Sequence, residues 1–259
     1  MYKHHISTVF FSPTDASRKG TQAIAGVFGS HVFNMDMTLW NAQPEKTVFN
    51  ASDIVVFGAP VYGGRIFKGA RERFLKLRAN RTPCIVTVTY GNRDYDDALL
   101  ELRDLVHNRG FIPFAAAALI GEHTYGNIQV GRPDAQDLHE DAQFAQKAYD
   151  KLLASGAYLV QVPGNRQNLQ DCQGGDGGGF RPLTNEKCIQ CGLCAKNCPE
   201  GAISFTDYSD VDSTKCISCF RCIKYCPVHA KNMDTEEYHS FADDFSNRLS
   251  KRRENEYFL

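Results

Sequence analysis

The chain has 259 residues, 42% hydrophobic and 23% charged, with a formal net charge of −1. This is enough apolar side chain for one large domain or two modest ones, and it excludes disordered, collagen-like and fibrous classes. The balanced charge gives no signature for nucleic acid or an anionic membrane surface, and no apolar run approaches the roughly 20 residues of a membrane-spanning helix.

In chain order, Ile6–Phe11 reads as a strand and is followed by a helix near Lys19–Gly29. His31–Asp36 is a weaker strand. Asp53–Gly58 is the continuous apolar run of a strand covered on both faces. A helix is predicted over Lys68–Ala79, a strand over Cys84–Thr89, a helix at about Asp96–Arg109, a fifth strand over Phe111–Ile120 and a closing helix over Ala135–Leu153. This alternation implies a five-stranded, doubly wound parallel α/β sheet. Residues 163–182 break the pattern. The run Gly174-Gly-Asp-Gly-Gly-Gly179 between Pro163 and Pro182 reads as a flexible interdomain linker, with a surface loop as the alternative. The expected division is a first domain at 1–163, a glycine-rich linker at 164–180, a cysteine-rich domain at 181–235 and a polar tail at 236–259. The tail carries four basic residues in Arg248–Arg253 and reads as a surface helix or mobile segment, with a solvated face favoured over a contact to an acidic partner or nucleic acid.

Eight of the ten cysteines fall within residues 188–226. The start, Met1-Tyr-Lys-His-His-Ile6, lacks the apolar stretch of a signal peptide, so a cytoplasmic location is expected, where disulfides are rare and clustered thiols suggest inorganic cofactors. Lys-Cys-Ile-x-Cys-x-x-Cys-x-Lys-x-Cys-Pro occurs at 187–199 and again at 215–227. Three thiolates on one tight loop supply three corners of a cubane, and a fourth must come from elsewhere. Paired zinc sites are the alternative, but they rarely use a third cysteine two residues on, followed by Cys-Pro. The doubled motif resembles the bacterial two-cluster [4Fe–4S] ferredoxins, small α+β domains. In that pattern the fourth cysteine of each run ligates the other cluster. The resemblance therefore implies cluster I on Cys188, Cys191, Cys194 and Cys226, and cluster II on Cys216, Cys219, Cys222 and Cys198. Ile189, Ile203, Phe205, Val211, Ile217, Phe220 and Ile223 are expected to pack around them. Cys84 reads as a buried hydrophobe and Cys172 as an uninvolved thiol in the linker.

Three loops at carboxyl ends of strands carry the remaining signal, since open α/β sheets bind ligands there. Ser12-Pro-Thr-Asp-Ala-Ser17 joins the first strand to its helix, where hydroxyls, unpaired N–H groups and the helix dipole favour an anion. A simple helix cap is the alternative. The loop resembles the flavodoxin phosphate loop, Ser/Thr-x-Thr-Gly-x-Thr, and departs from it in placing Asp15 and Ala16 after Thr14. Asp tolerates the left-handed backbone that the family glycine takes, although its carboxylate beside a phosphate would cost affinity unless it turns away. The resemblance implies FMN, with Ser12, Thr14, Asp15, Ala16 and Ser17 at the phosphate. From the loop after the third strand it implies Pro60, Val61, Tyr62, Gly63 and Gly64, and from the loop after the fourth Tyr90, Gly91 and Asn92. Tyr62 and Tyr90 would stack on the ring, against an alternative of ordinary surface packing. Gly63 is the candidate for a peptide that reorients beneath the flavin N5. His123, in Gly121–Tyr125, reads as structural.

The two halves together resemble the flavodoxin–ferredoxin fusion family of anaerobic metabolism. That resemblance implies an electron-transfer protein passing electrons between FMN, two [4Fe–4S] clusters and a separate redox partner protein. A flavin-dependent reductase of a small molecule, fed by the ferredoxin half, is the alternative. No catalytic acid–base set is readable. The flavin mouth at Tyr62, Gly63, Tyr90 and His123 is expected to face one cluster, either within the chain or across a homodimer.

Overall fold

The computed structural model describes residues 4–170 and 173–259, so Cys172 lies outside the described residues. The first unit contains β1 (His5–Phe10), α1 (Ala16–Phe28), β2 (Val32–Asp36), β3 (Asp53–Tyr62), α2 (Lys68–Phe74), β4 (Thr82–Tyr90), α3 (Ala98–His107), β5 (Phe111–Ile120) and α4 (Ala135–Ser155). The strands pair in parallel in the order β2-β1-β3-β4-β5. This is the flavodoxin-like doubly wound order, whose ligand site lies where the winding direction reverses, at β1 and β3.

The apolar strands of the sequence are the central strands of the sheet. Every residue of β4 is buried, as a strand covered on both faces requires. Ile24 and Ala25 of α1 and Phe144, Ala145 and Ala148 of α4 cover one face over Ile54, Val56 and Ile85. Phe74 of α2 and Leu99 and Leu102 of α3 cover the other, over Val55, Phe57 and Val86. Gly58 is required where α1 crosses β3: a Cβ there would stand 2.0 Å from Thr21 Oγ1. Pro113, which cannot donate to a ladder, sits where the β4–β5 register slips, so that Cys84 opposes Pro113 and Ile85 opposes Ala115. Cys84 is fully buried, as expected of a small hydrophobe.

Two elements differ from the sequence reading. The second helix ends at Phe74 instead of Ala79, because Arg78–Ala79 is drawn into a short parallel pairing with Val48–Phe49. The third strand runs to Tyr62 because Arg65–Ile66 folds back and pairs with Val61 and Tyr62.

The second unit contains α5 (Leu193–Lys196), α6 (Arg221–Lys224) and an antiparallel pairing of Leu183–Thr184 with Lys231–Asn232. Its internal repeat is visible in the backbone. Left-handed residues recur in register as Gln190 and Ser218, Gly192 and Phe220, Gly201 and His229.

The glycine-rich run expected to be a flexible linker is docked. Gly175 N–H donates to Tyr62 O at 2.8 Å, Lys68 N–H donates to Gly175 O at 2.9 Å, and Gly178 N–H donates to Ile217 O at 3.3 Å. Its glycines serve close approach: a Cβ on Gly177 would stand 2.2 Å from Ile217 Cα.

The expected tail is also built into the molecule. It forms α7 (Glu236–Arg248) and then β6 (Glu256–Phe258), which pairs antiparallel with β5 along Ala116–Ala118. Arg253 of the basic run lies over the Tyr90 ring at 5.3 Å and reaches Asp94 at 3.1 Å. Among the described residues no helix is long and apolar enough to cross a membrane.

The return strand creates a titratable contact. Tyr257 stacks on Phe144 at 4.8 Å and its hydroxyl donates to Asp141 Oδ1 at 2.8 Å. Burial of Asp141 raises its carboxyl to about 7, against the opposing effect of the Tyr257 hydrogen bond. The folded state thus holds a proton that the unfolded chain has already released, so Asp141's contribution to stability falls as pH rises from about 4 through 7. Asp141→Asn removes that dependence. The stability of the variant relative to the parent should rise by on the order of 4 kcal/mol between pH 4 and pH 8, read from anaerobic urea unfolding. A pH-independent difference would contradict this.

Candidate functional site

The loop after β1 is fixed by two hydroxyls. Ser12 N–H donates to Thr38 Oγ1 at 2.9 Å, and Arg18 N–H donates to Ser12 Oγ at 3.0 Å. Asp15 takes the left-handed conformation, φ 70°, that lets the chain turn into α1. Its carboxylate turns outward to Arg18 Nε at 2.9 Å and to the Tyr225 hydroxyl of the second unit. Asp15 therefore does not line the cavity that Ser12, Thr14, Ala16 and Ser17 line. The first N–H groups of α1 have no intrahelical acceptor and point an anion-binding end at this cavity.

The cavity measures about 320 Å³ and lies across the carboxyl ends of β1, β3 and β4. Pro60, Val61, Tyr62, Gly63, Tyr90 and Gly91 also form its wall. Tyr62 is half-buried against Phe67 at 5.3 Å; burial, and then the neighbouring Cys219, raise its phenol well above the ordinary value. Tyr90 is only 3% exposed. It packs edge-on to Tyr95 at 5.3 Å beneath Arg253, so it forms the base of the cavity more than an open stacking face. Gly91 is needed where His123 closes in, since a Cβ would stand 2.2 Å from the imidazole.

Gly64 and Asn92 are set elsewhere. Gly64 abuts Asp96, and the buried Asn92 amide donates to Leu249 O and Lys251 O while its oxygen accepts from Arg253 N–H. Asn92 is an anchor for the C-terminal segment.

His123 Nδ1 accepts from Tyr125 N–H at 2.8 Å. Desolvation holds the ring neutral, with its pKa lowered to about 4.

Thr89 Oγ1 and the Tyr90 hydroxyl are buried at this wall without a hydrogen-bond partner among the described residues. Unmet polar atoms of this kind are rare in a protein interior. Together with the anion-binding loop they fit a phosphorylated, polar-edged ring system such as a flavin.

The opposite wall was not legible in the sequence. Gly177, Gly178, Ser218 and Cys219 come from the docked glycine run and the second cysteine loop, and Tyr125 from the loop after β5. Tyr125 meets Phe220 at 5.2 Å and Phe180 at 5.5 Å. One signal was available. Phe220 occupies the repeat position of Gly192, and both are left-handed, a costly conformation for a bulky residue.

The eight clustered cysteines separate into two sets. Cys188, Cys191, Cys194 and Cys226 line one cavity, and Cys198, Cys216, Cys219 and Cys222 line another. These are the cross-ligated sets implied by the ferredoxin resemblance. Among the described residues no three His, Cys, Asp or Glu side chains are grouped to hold a single metal ion. Four thiols spread around a cavity instead suit a polynuclear cluster whose iron corners stand apart. The crossing cysteines are treated alike: Cys198 Sγ accepts from Ala202 N–H and Cys226 Sγ from Ala230 N–H, both at 3.2 Å.

The second set is the drier one. Cys219 is 8% exposed, and burial raises the Cys222 thiol to about 12 in the metal-free chain. Ile203, Val211, Ile217 and Phe220 line that cavity as expected. At the first set, Ile189 is a lining residue yet 62% exposed. Phe205 is 59% exposed in the bend that follows the Ile203–Val211 bridge and lines neither cavity, and Ile223 belongs to a third cavity.

A family model described as a 4Fe-4S dicluster domain matches residues 187–230. A comparison with curated proteins found no match. Among solved structures, the chain is similar to the rubredoxin oxygen:oxidoreductase of the anaerobe Desulfovibrio gigas, at 16% identity and TM-score 0.40, covering 59% of this chain and 38% of that one. It is also similar to a flavodoxin from the domain Archaea, at 11% identity and TM-score 0.39, covering 57% and 99%. A WrbA-like flavodoxin from Agrobacterium tumefaciens matches at 14% identity and TM-score 0.36, covering 57% and 98%.

The grouping of thiols has a spectroscopic consequence. Cys198→Ala should impair the cluster held by Cys216, Cys219 and Cys222 and leave the sequence-adjacent one intact. EPR of the reduced Cys198 variant should match that of Cys219→Ala. A match to Cys191→Ala would overturn the assignment.

Proposed function

We propose that this chain is an electron-transfer protein that relays electrons between FMN, two [4Fe–4S] clusters and a separate redox partner. The relay would run from the unit of residues 1–163, across the docked run at 164–180, into the unit of residues 181–235. When bound, a flavin exchanges one or two electrons and a [4Fe–4S] cluster exchanges one, so the pair converts between the two kinds of chemistry.

One observation carries this reading. Cys219 lines both the flavin cavity and the cavity of the second cysteine set. A single residue is then the partition between the two redox sites, within one chain. The first cysteine set shares no lining residue with the flavin cavity, and there Cys191 is exposed with Leu193 41% exposed beside it. Such an exposed edge suits electron exchange with a second protein. His123, neutral and desolvated at the flavin wall, adds no positive charge there.

A second reading, reduction of a small molecule, draws support from a neighbouring cavity of about 460 Å³. It shares Thr14, His123 and Cys219 with the flavin site and carries Lys224 and His239. A steady-state assay with small acceptors against a reduced protein partner separates the two readings.

The relay predicts first-order behaviour. In rapid-reaction experiments on protein loaded with FMN and clusters, flavin reduction by the clusters should proceed at a rate independent of protein concentration. A rate proportional to concentration would mean that the halves act as separate carriers.

A further inference from the structure

Three successive residues of the phosphate loop are gripped from outside by the dicluster unit. Arg221 Nη1 donates to Pro13 O at 2.5 Å. Lys224 Nζ donates to Thr14 O at 3.4 Å, and the Tyr225 hydroxyl donates to the Asp15 carboxylate. The Arg221 guanidinium lies over the Tyr225 ring at 4.7 Å, and its Nε is buried without a partner among the described residues. Arg221 and Lys224 bound α6, which follows Cys219 and carries Cys222, so the grip is anchored in the second cysteine set.

The internal repeat shows that this is a local specialisation. The positions equivalent to Arg221 and Tyr225 are Leu193 and Asn197 in the first copy, and Leu193 is exposed. The copies diverge at Arg221 and Tyr225, while the lysine is kept as Lys196 and Lys224.

We propose that Arg221 is a positioning residue for the phosphate loop, and that through it the dicluster unit sets how tightly the cavity takes a phosphate-bearing flavin. The proposal rests on reading that cavity as a flavin site. The Pro13 carbonyl shares its peptide with the Thr14 N–H, and the Thr14 carbonyl shares its peptide with the Asp15 N–H. The Pro13–Thr14 turn brings the Asp15 N–H toward the Ser12 carbonyl, while the Thr14 N–H makes no hydrogen bond among the described residues. A cation on the carbonyl polarises the peptide and strengthens its N–H as a donor. The same contact holds the loop in the shape an anion requires, and Tyr225 keeps the Asp15 carboxylate from turning inward. Because Arg221 follows Cys219 and precedes Cys222, an ordered cluster loop and an ordered phosphate loop favour each other, and the coupling is reciprocal.

The test compares FMN with riboflavin, which lacks the phosphate. Protein stripped of flavin but retaining its clusters, checked by iron and sulfide content, is titrated with each while flavin fluorescence is followed. Arg221→Gln should weaken FMN binding about tenfold and change riboflavin binding less than twofold, collapsing the preference. Tyr225→Phe should shift the preference in the same direction by less. An unchanged FMN-to-riboflavin preference in Arg221→Gln overturns the proposal. Should that variant lose its clusters, an unchanged preference in both Tyr225→Phe and Lys224→Gln overturns it instead. Failure of the parent protein to bind either flavin would bring down the flavin reading itself, which is a separate outcome.

Discussion

A module of about fifty residues that sets eight cysteines around two cavities has little apolar surface to bury on its own account. This one lends Ile217 and Cys219 to the main core of the larger unit, where they belong to the same buried cluster as Phe11 and Tyr90. That shared burial is what the remaining contacts depend on. It brings Arg73 of α2 to Pro199 O at 3.1 Å and to Glu200 at 2.7 Å, and α6 to the loop after β1. It also closes the wall of the cavity at the carboxyl ends of β1, β3 and β4 and brings the second cysteine set up against it. Removing the module would leave part of the first unit's core exposed as well as an open cavity.

What the sequence disclosed and what it hid follow one physical division. Strands, the order of elements and the two thiol sets were legible because their signals are local: an apolar run, a turn, a cysteine spacing. The left-handed Asp15 was legible for the same reason. Asn92 was placed in the cavity, and the cover over Tyr90 was missed, because their partners, Leu249, Lys251 and Arg253, lie some 160 residues away. Composition alone made the glycine run look like a free linker. Its glycines answer instead to the backbones of Tyr62 and Ile217, which no window of sequence shows. The one distant signal that could be read lies in the departures from the repeat, at Phe220, Arg221 and Tyr225.

Those departures show how the symmetry of the repeat is put to use. The first copy keeps the unstrained solution, with Gly192 at the turn and aliphatic Leu193 beside it. The second copy accepts a strained aromatic at Phe220, whose ring meets Tyr125 and Tyr238. Strain of this kind persists only where surrounding packing over-determines it. Here that packing comes from the loop after β5 and from α7, elements outside the module.

The antiparallel return of residues 256–258 to β5 changes the topology of the whole chain. A terminal appendage needs one attachment and can pivot about it; this module has two, entering along the glycine run and leaving through α7 into the sheet. It is in effect an insertion, and a single cut in the connecting run would leave the fragments clasped together. Opening the cavity at the carboxyl ends of β1, β3 and β4 by swinging the module aside would require peeling an edge strand from the sheet, so passage of a ligand on that side becomes a question of partial unfolding and not of hinge motion.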